Sequence, residues 1–213
     1  MRGIGCVAMC VLLALLAGCA TMSRDQCMAG NWERAGYQDG AAGHAPSRLA
    51  DHEAACMAHG ISVDARLYLA ARERGLEEYC TPYRGFEAGS NGRSYAGVCP
   101  AWAEADFLAG YADGRVVHDA RQYVERARSE ISTQEHRIRQ LRKDTDRTRE
   151  RIGRDGISAE DRKELERELR RLRDDTRRAE DELGHAHRRH GLAERELDQV
   201  MRRLPSMYGG GGW

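Results

Sequence analysis

From Val117 to Leu204 apolar or small residues return at alternating steps of three and four, a rhythm that only long helices can use. Val117, Val124, Ile131, Ile138, Thr145 and Ile152 recur every seven residues, and Ala120, Ala127, Gln134, Leu141 and Thr148 follow the first five of them by three. The stretch "RIGRDGIS" interrupts the seam with two glycines, and Ser158 with Asp161 then reads as a capping box that restarts a helix. The second arm runs through Leu165, Leu169, Leu172, Thr176, Ala179, Leu183, Ala186, His190, Ala193, Leu197, Val200 and Leu204. Arms opening at Ala101 and at Ser158 would each be roughly 70 to 80 Å long at about 1.5 Å per residue. Matching lengths predict an antiparallel coiled-coil hairpin over residues 115–204 with its turn near 153–157. Thr, Gln, Ala and His at seam positions leave a narrow apolar stripe. Two states are therefore open: association with a second copy or a partner protein, and a lone hairpin steadied by Arg and Glu pairs at i,i+4.

Residues 27–114 follow another grammar, short helical patterns broken by turns. In "WERAGYQDGAAG" the glycines Gly36, Gly40 and Gly43 fall at helical spacing, and "GYADG" at Gly110 to Gly114 repeats "GYQDG" with one change. Glycine weakens a helix by up to ~1 kcal/mol, so a face built from it needs a reason. The reading adopted is a backbone-to-backbone approach between the first helix and the start of the long one, with Trp32, Tyr37, Phe107 and Tyr111 packed around it. The rival is a cleared groove for a glycan or peptide, lined by Trp32, Tyr37, Asp39, Tyr111 and Asp113. Between these, Ser47 reads as the cap of a helix stopped by Gly60. A second helix runs from Ala65 through Tyr68 or Leu69, Arg72, Leu76 and Tyr79 to Thr81-Pro82. The glycine-rich "YRGFEAGSNGRSYAGVC" reads as a loop or short hairpin, and Pro100 begins the next helix.

The N-terminus has the form of an export signal over residues 1–18, with Arg2 before the apolar run Val7 to Leu16, too short for a stable membrane span. It ends in "LAGC", which resembles the lipobox of bacterial lipoproteins. The resemblance implies lipidation of Cys19, residues 19–26 as anchor and tether, and, with Ala rather than Asp at position 20, the outer membrane. Cys27, Cys56, Cys80 and Cys99 remain, an even number in an exported domain, which predicts two disulfides. None of them forms a C-x-x-C pair, so zinc is the weaker reading. Neighbours in sequence pair most easily, Cys27 with Cys56 and Cys80 with Cys99, but three connectivities remain open at this level.

An ordered set of motifs carries a family resemblance: Cys27, Asn31-Trp32, "GYQDG", Gly43, Cys56 with His59-Gly60, "RERGLEEYCTP", "YAGVCP" and "GYADGR". Over residues 27 to about 125 the chain resembles the bacterial lipoprotein family called domain of unknown function 2799. Asn31 stands where an acidic residue is usual, and Tyr83-Arg84 departs in the turn. The resemblance implies export and a helical, cysteine-containing domain. It implies no mechanism.

Asp39 and Asp113 are the tempting acid and base of a cell-wall hydrolase, yet no nucleophile with a base stands at fixed spacing, and an Asp beside glycines commonly accepts local hydrogen bonds. His185, His187 and His190 could offer a metal two ligands but no fixed carboxylate, and read as a solvated face. Residues 20–114 are acidic on balance and 115–204 only slightly basic, which argues against nucleic acid. The sequence thus predicts an all-α protein: a disulfide-stapled helical domain, a long hairpin, and a flexible tail over 205–213 ending in Trp213. It is expected to be a lipid-anchored scaffold or binding module on the periplasmic face of the outer membrane, with no cofactor, no metal and no catalysis, and with cell-wall contact open.

Overall fold

The computed structural model describes residues 21–204 and 208. The expected signal over residues 1–18, Cys19 and most of the expected tail, Trp213 included, lie outside these residues. Seven helices and no strand are found among the described residues: α1 (Arg24–Ala29), α2 (Trp32–Ala41), α3 (Arg48–Met57), α4 (Ala65–Tyr79), α5 (Pro82–Ser90), α6 (Ala101–Ile152) and α7 (Ala159–Arg203). The chain divides into two compact units, one reaching to Gly114 and one from Arg115 on, and α6 contributes to both.

Capping chemistry sets most of the helix starts. Ser23 and Gln26 form a reciprocal capping box on α1, Asn31 caps α2, Asp64 caps α4, and Thr81 caps α5 with Pro82 in its first turn. Ser47 precedes α3 without bonding it through its side chain. Gly60, at φ +72°, turns the chain after α3 in the left-handed region that suits glycine. Both predicted disulfides are formed, Cys27–Cys56 and Cys80–Cys99, with Cα atoms 5.4 and 5.5 Å apart. Each sits in its own core cluster. Met22, Trp32 and Tyr68 surround the first, and Leu76, Tyr79, Val98, Ala103 and Phe107 surround the second, with Tyr95 and Tyr111 against it.

The glycines do bring backbones together, but between other partners than the sequence suggested. Gly36 and Gly40 of α2 press on the backbone of Tyr68 and Arg72 in α4, and Gly75 of α4 presses back on Tyr37 and Ala41. The second "GYADG" meets α5 instead: Gly110 and Gly114 abut the backbone of Pro82 and Phe86, while Gly85 of α5 abuts Phe107. A Cβ at any of these positions would overlap a main-chain carbonyl. The first helix and the long one are therefore not each other's partner; each has a glycine-bearing helix of its own. Gly43 is not on the helical face either. It follows α2 at φ +71°, beneath the ring of Tyr79. The predicted loop over 83–99 is also corrected, since its first half is helix α5. Thr81 and Pro82 start that helix and packing against α6 holds it, which overrides the poor propensity of Gly85 and Gly89.

In the second unit every seam position named from the sequence between Val117 and Leu204 is buried or half-buried, and the charged positions between them are mostly exposed. The arms run antiparallel, as the ion pairs Arg151–Glu168, Arg142–Glu180 and Arg189–Glu130 show by marching in opposite directions along the two helices. Ala127, Ala179, Ala186 and Ala193 are nearly inaccessible, so small side chains let the arms approach closely. Thr145 and Thr176 satisfy their hydroxyls on the carbonyls of Leu141 and Leu172, which makes a polar seam residue tolerable. Ser158 accepts the amide of Asp161 at 3.0 Å and restarts the helix after Gly156 at φ +82°.

Candidate functional site

The densest polar constellation of the first unit is built around Asp39. Seating Gly36 and Gly40 on α4 turns the next helical position, Asp39, into the wedge between α2, α3 and α4. Its Oδ2 accepts from the Tyr68 hydroxyl at 2.6 Å and lies 2.7 Å from His52 Nε2. Its Oδ1 is 4.0 Å from Arg48 Nε. On the other side of the imidazole, His52 Nδ1 is 2.8 Å from Thr21 Oγ1. Tyr68 is wholly buried, His52 is 4% exposed and Asp39 8%. Burial, then the bond to Asp39, pushes the Tyr68 hydroxyl well above the ordinary tyrosine range. Arg72, also buried, gives its guanidinium to the His44 carbonyl at 2.8 Å and opposes that rise.

Chemically, a carboxylate, an imidazole and a hydroxyl in line are the parts that activate a nucleophile. The two ring nitrogens of His52 thus face Asp39 and the Thr21 hydroxyl, with donor and acceptor roles set by the tautomer. The same Asp39 oxygen is spent on Tyr68, however, and the ring is closed in, so the line ties Thr21 to three helices. Asp113 is not among the partners given for Asp39, which bonds His52 and Tyr68 and forms an ion pair with Arg48; it rides on α6, whose glycines meet α5.

The other candidate residues are also placed. Trp32 is 7% exposed in the first core cluster. Tyr37 is half-buried and its hydroxyl donates to Glu78, which raises its pKa. Tyr111 donates to the Arg93 carbonyl at 2.8 Å and lies 6.3 Å from Phe107 ring to ring. His185 contacts Arg188, and His190 lies 3.5 Å from Glu194. Among the described residues no group of three or more His, Cys, Asp or Glu is placed to hold a metal ion, and no helix is long and apolar enough to cross a membrane. Thr21 and His52 were not singled out in the sequence, and Tyr68 was read only as a position on the periodic face of its helix. The signal available was positional: His52 stands four before Cys56 and Tyr68 four before Arg72, so each is a polar residue on the core face of its helix.

The family model described as a protein of unknown function, DUF2799, matches residues 31–116. Over those residues the chain is similar to the DUF2799 family. The match begins at Asn31, the cap of α2, and ends just past Gly114, so it contains both glycine-packed helix pairs, the Asp39–His52–Tyr68 cluster and three of the four bridged cysteines. Cys27, Thr21 and most of the hairpin lie outside it. No curated protein and no solved structure matches the chain. The resemblance drawn from the motifs is thus met at the level of the DUF2799 domain, whose description carries no activity.

Proposed function

We propose that the chain is a non-enzymatic lipoprotein of the cell envelope, acylated at Cys19, held on the periplasmic face of the outer membrane, and working as a scaffold or binding module through its hairpin. The observation that carries this reading is the closure of both glycine faces on neighbouring backbones. A domain so closed is a staple rather than a receptor. The side chains a hydrolase or glycan receptor would use are already engaged: Asp39 by His52 and Tyr68, the Tyr37 hydroxyl by Glu78, and the Tyr111 hydroxyl by Arg93. The hairpin offers a long surface with a hollow of about 440 Å³ lined by Val116, Tyr123, Ala193 and Val200, and an exposed Leu192.

Crosslinking in intact cells, followed by mass spectrometry, tests this. Adducts to one protein, or to a second copy, concentrated on residues 115–204 are expected. Adducts confined to cell-wall glycan at Tyr37 or Tyr111 would replace the scaffold with a receptor. Fractionation of Cys19→Ser tests the anchor, and its release into the soluble periplasm is the expected result.

A further inference from the structure

The described residues are held in place from the first of them onward. Thr21 is already bonded to buried His52, Met22 is in the core at 8% exposure, Ser23 caps α1, and Cys27 is bridged to Cys56. In the sequence only Ala20 separates Cys19 from Thr21. Two peptide links put the Cys19 Cα within about 8 Å of the Thr21 Cα, whereas a flexible tether of about 20 residues would allow roughly 25 Å. An acyl chain on Cys19 would therefore draw this end of the first unit down onto the bilayer.

Two side chains at this end suit such a surface. Met28 is 64% exposed and Met57 60%, large apolar groups standing in water. Each adjoins a cysteine of the same bridge, whose Cα atoms are 5.4 Å apart, so the Met28 and Met57 Cα atoms are within about 13 Å of each other. Met57 lies five residues beyond His52 on α3, about 7.5 Å along the helix from the residue that holds Thr21. Unbranched and polarisable, methionine adapts to an irregular apolar medium. Arg24 and Asp25 offset each other on α1, so attraction to anionic headgroups is a minor part of the contact.

The geometry points to a lipid-facing surface: with Cys19 acylated, the end of the first unit bearing Thr21, Met28 and Met57 rests on the membrane and the two methionines enter its interfacial region. This rests on the lipoprotein reading above, and the test keeps the two separable. The full chain, purified from membranes and placed in vesicles of phosphatidylethanolamine and phosphatidylglycerol, is first checked by mass for acylation at Cys19; an unmodified Cys19 defeats the lipoprotein reading itself. Peroxide oxidation of each methionine to the sulfoxide is then followed by peptide mass, a readout that needs no change at the surface tested. Met28 and Met57 are expected to oxidise several-fold more slowly in the acylated protein than in soluble Cys19→Ser, and to regain the soluble rate when a flexible segment of about 20 residues is inserted between Ala20 and Thr21. Buried Met22 serves as the reference, slow throughout. Equal rates at Met28 and Met57 in acylated and soluble protein, with the acyl mass confirmed, would overturn the proposal.

Discussion

A single carboxylate oxygen, Asp39 Oδ2, joins three helices, because its two short bonds go to His52 on α3 and Tyr68 on α4. Removing it leaves the partners buried without an acceptor, whereas removing only the Tyr68 hydroxyl leaves Asp39 still bonded to His52. Asp39→Ala is therefore expected to cost about 2 to 5 kcal/mol in chemical denaturation, and Tyr68→Phe nearer 1 to 2 kcal/mol. The pH dependence has a definite sign. Tyr68 is raised in the folded state by burial and by Asp39, so its neutral form is the one the fold favours. The stability it contributes is complete below the unfolded tyrosine value of about 10 and is lost as pH rises beyond it. Denaturation midpoints between pH 8 and 11 should fall on the alkaline side, less steeply in Tyr68→Phe. Some slope should persist in that variant because burial raises Tyr79 and Tyr95 as well. An unchanged slope in Tyr68→Phe would remove Tyr68 as its source.

Between helices, the same residue type carries opposite expectations according to what faces it. Gly40 and Gly75 meet main chain, while Gly184 and Gly191, within α7, have only the distal end of an arginine side chain near the site of a Cβ. Gly40→Ala and Gly75→Ala should each destabilise the first unit although alanine is the better helix former, since no backbone can withdraw from the added methyl without opening the pair. Gly184→Ala should stabilise the hairpin by up to about 1 kcal/mol on propensity alone. Thermal melts of the three variants give the signs directly. The contrast also explains what was legible in the sequence. The seam could be read position by position because Val117, Ile138 and Leu165 announce themselves by period, and their burial follows it. The glycine faces could be seen but not matched, since a residue without a side chain leaves no pattern naming its partner; Ala71 and Gly75 on α4 were the faint cue. Helix α5 was missed because Gly85, which with Gly89 argues for a loop locally, is the residue that lets it pack on α6. The Asp39 cluster was half legible: "GYQDG" marked the carboxylate, but Thr21, His52 and Tyr68 arrive from three other segments and converge only on folding.

At the level of the whole chain, covalent and non-covalent stabilisation are unevenly distributed. Both core clusters of the first unit are centred on a disulfide and draw only on residues from Met22 to Tyr111, whereas the hairpin seam contains no cysteine. Bridges spanning 29 and 19 residues stabilise chiefly by restricting the unfolded chain, each by about 3 to 4 kcal/mol on a loop-entropy estimate. For a small domain whose glycine-rich helices carry few aliphatic side chains, that is a large share of the 5 to 15 kcal/mol typical of native stability. The hairpin instead depends on packing along Ala127, Ile138, Leu165, Ala179 and Ala186, with exposed Arg–Glu pairs that contribute little individually. Reducing agent should therefore act on one unit. In scanning calorimetry the transition of the first unit is expected to fall steeply in temperature, or vanish, on full reduction, while the transition belonging to residues 115–204 keeps its midpoint. Assignment is direct, because a chain ending at residue 125 should retain the reductant-sensitive transition and lack the other. Thiol labelling under denaturing conditions should find no free cysteine among Cys27, Cys56, Cys80 and Cys99 before reduction and four after it. A single transition that moves as a whole on reduction would show that the hairpin draws its stability from the stapled domain, and the division of labour argued from the cores would be wrong.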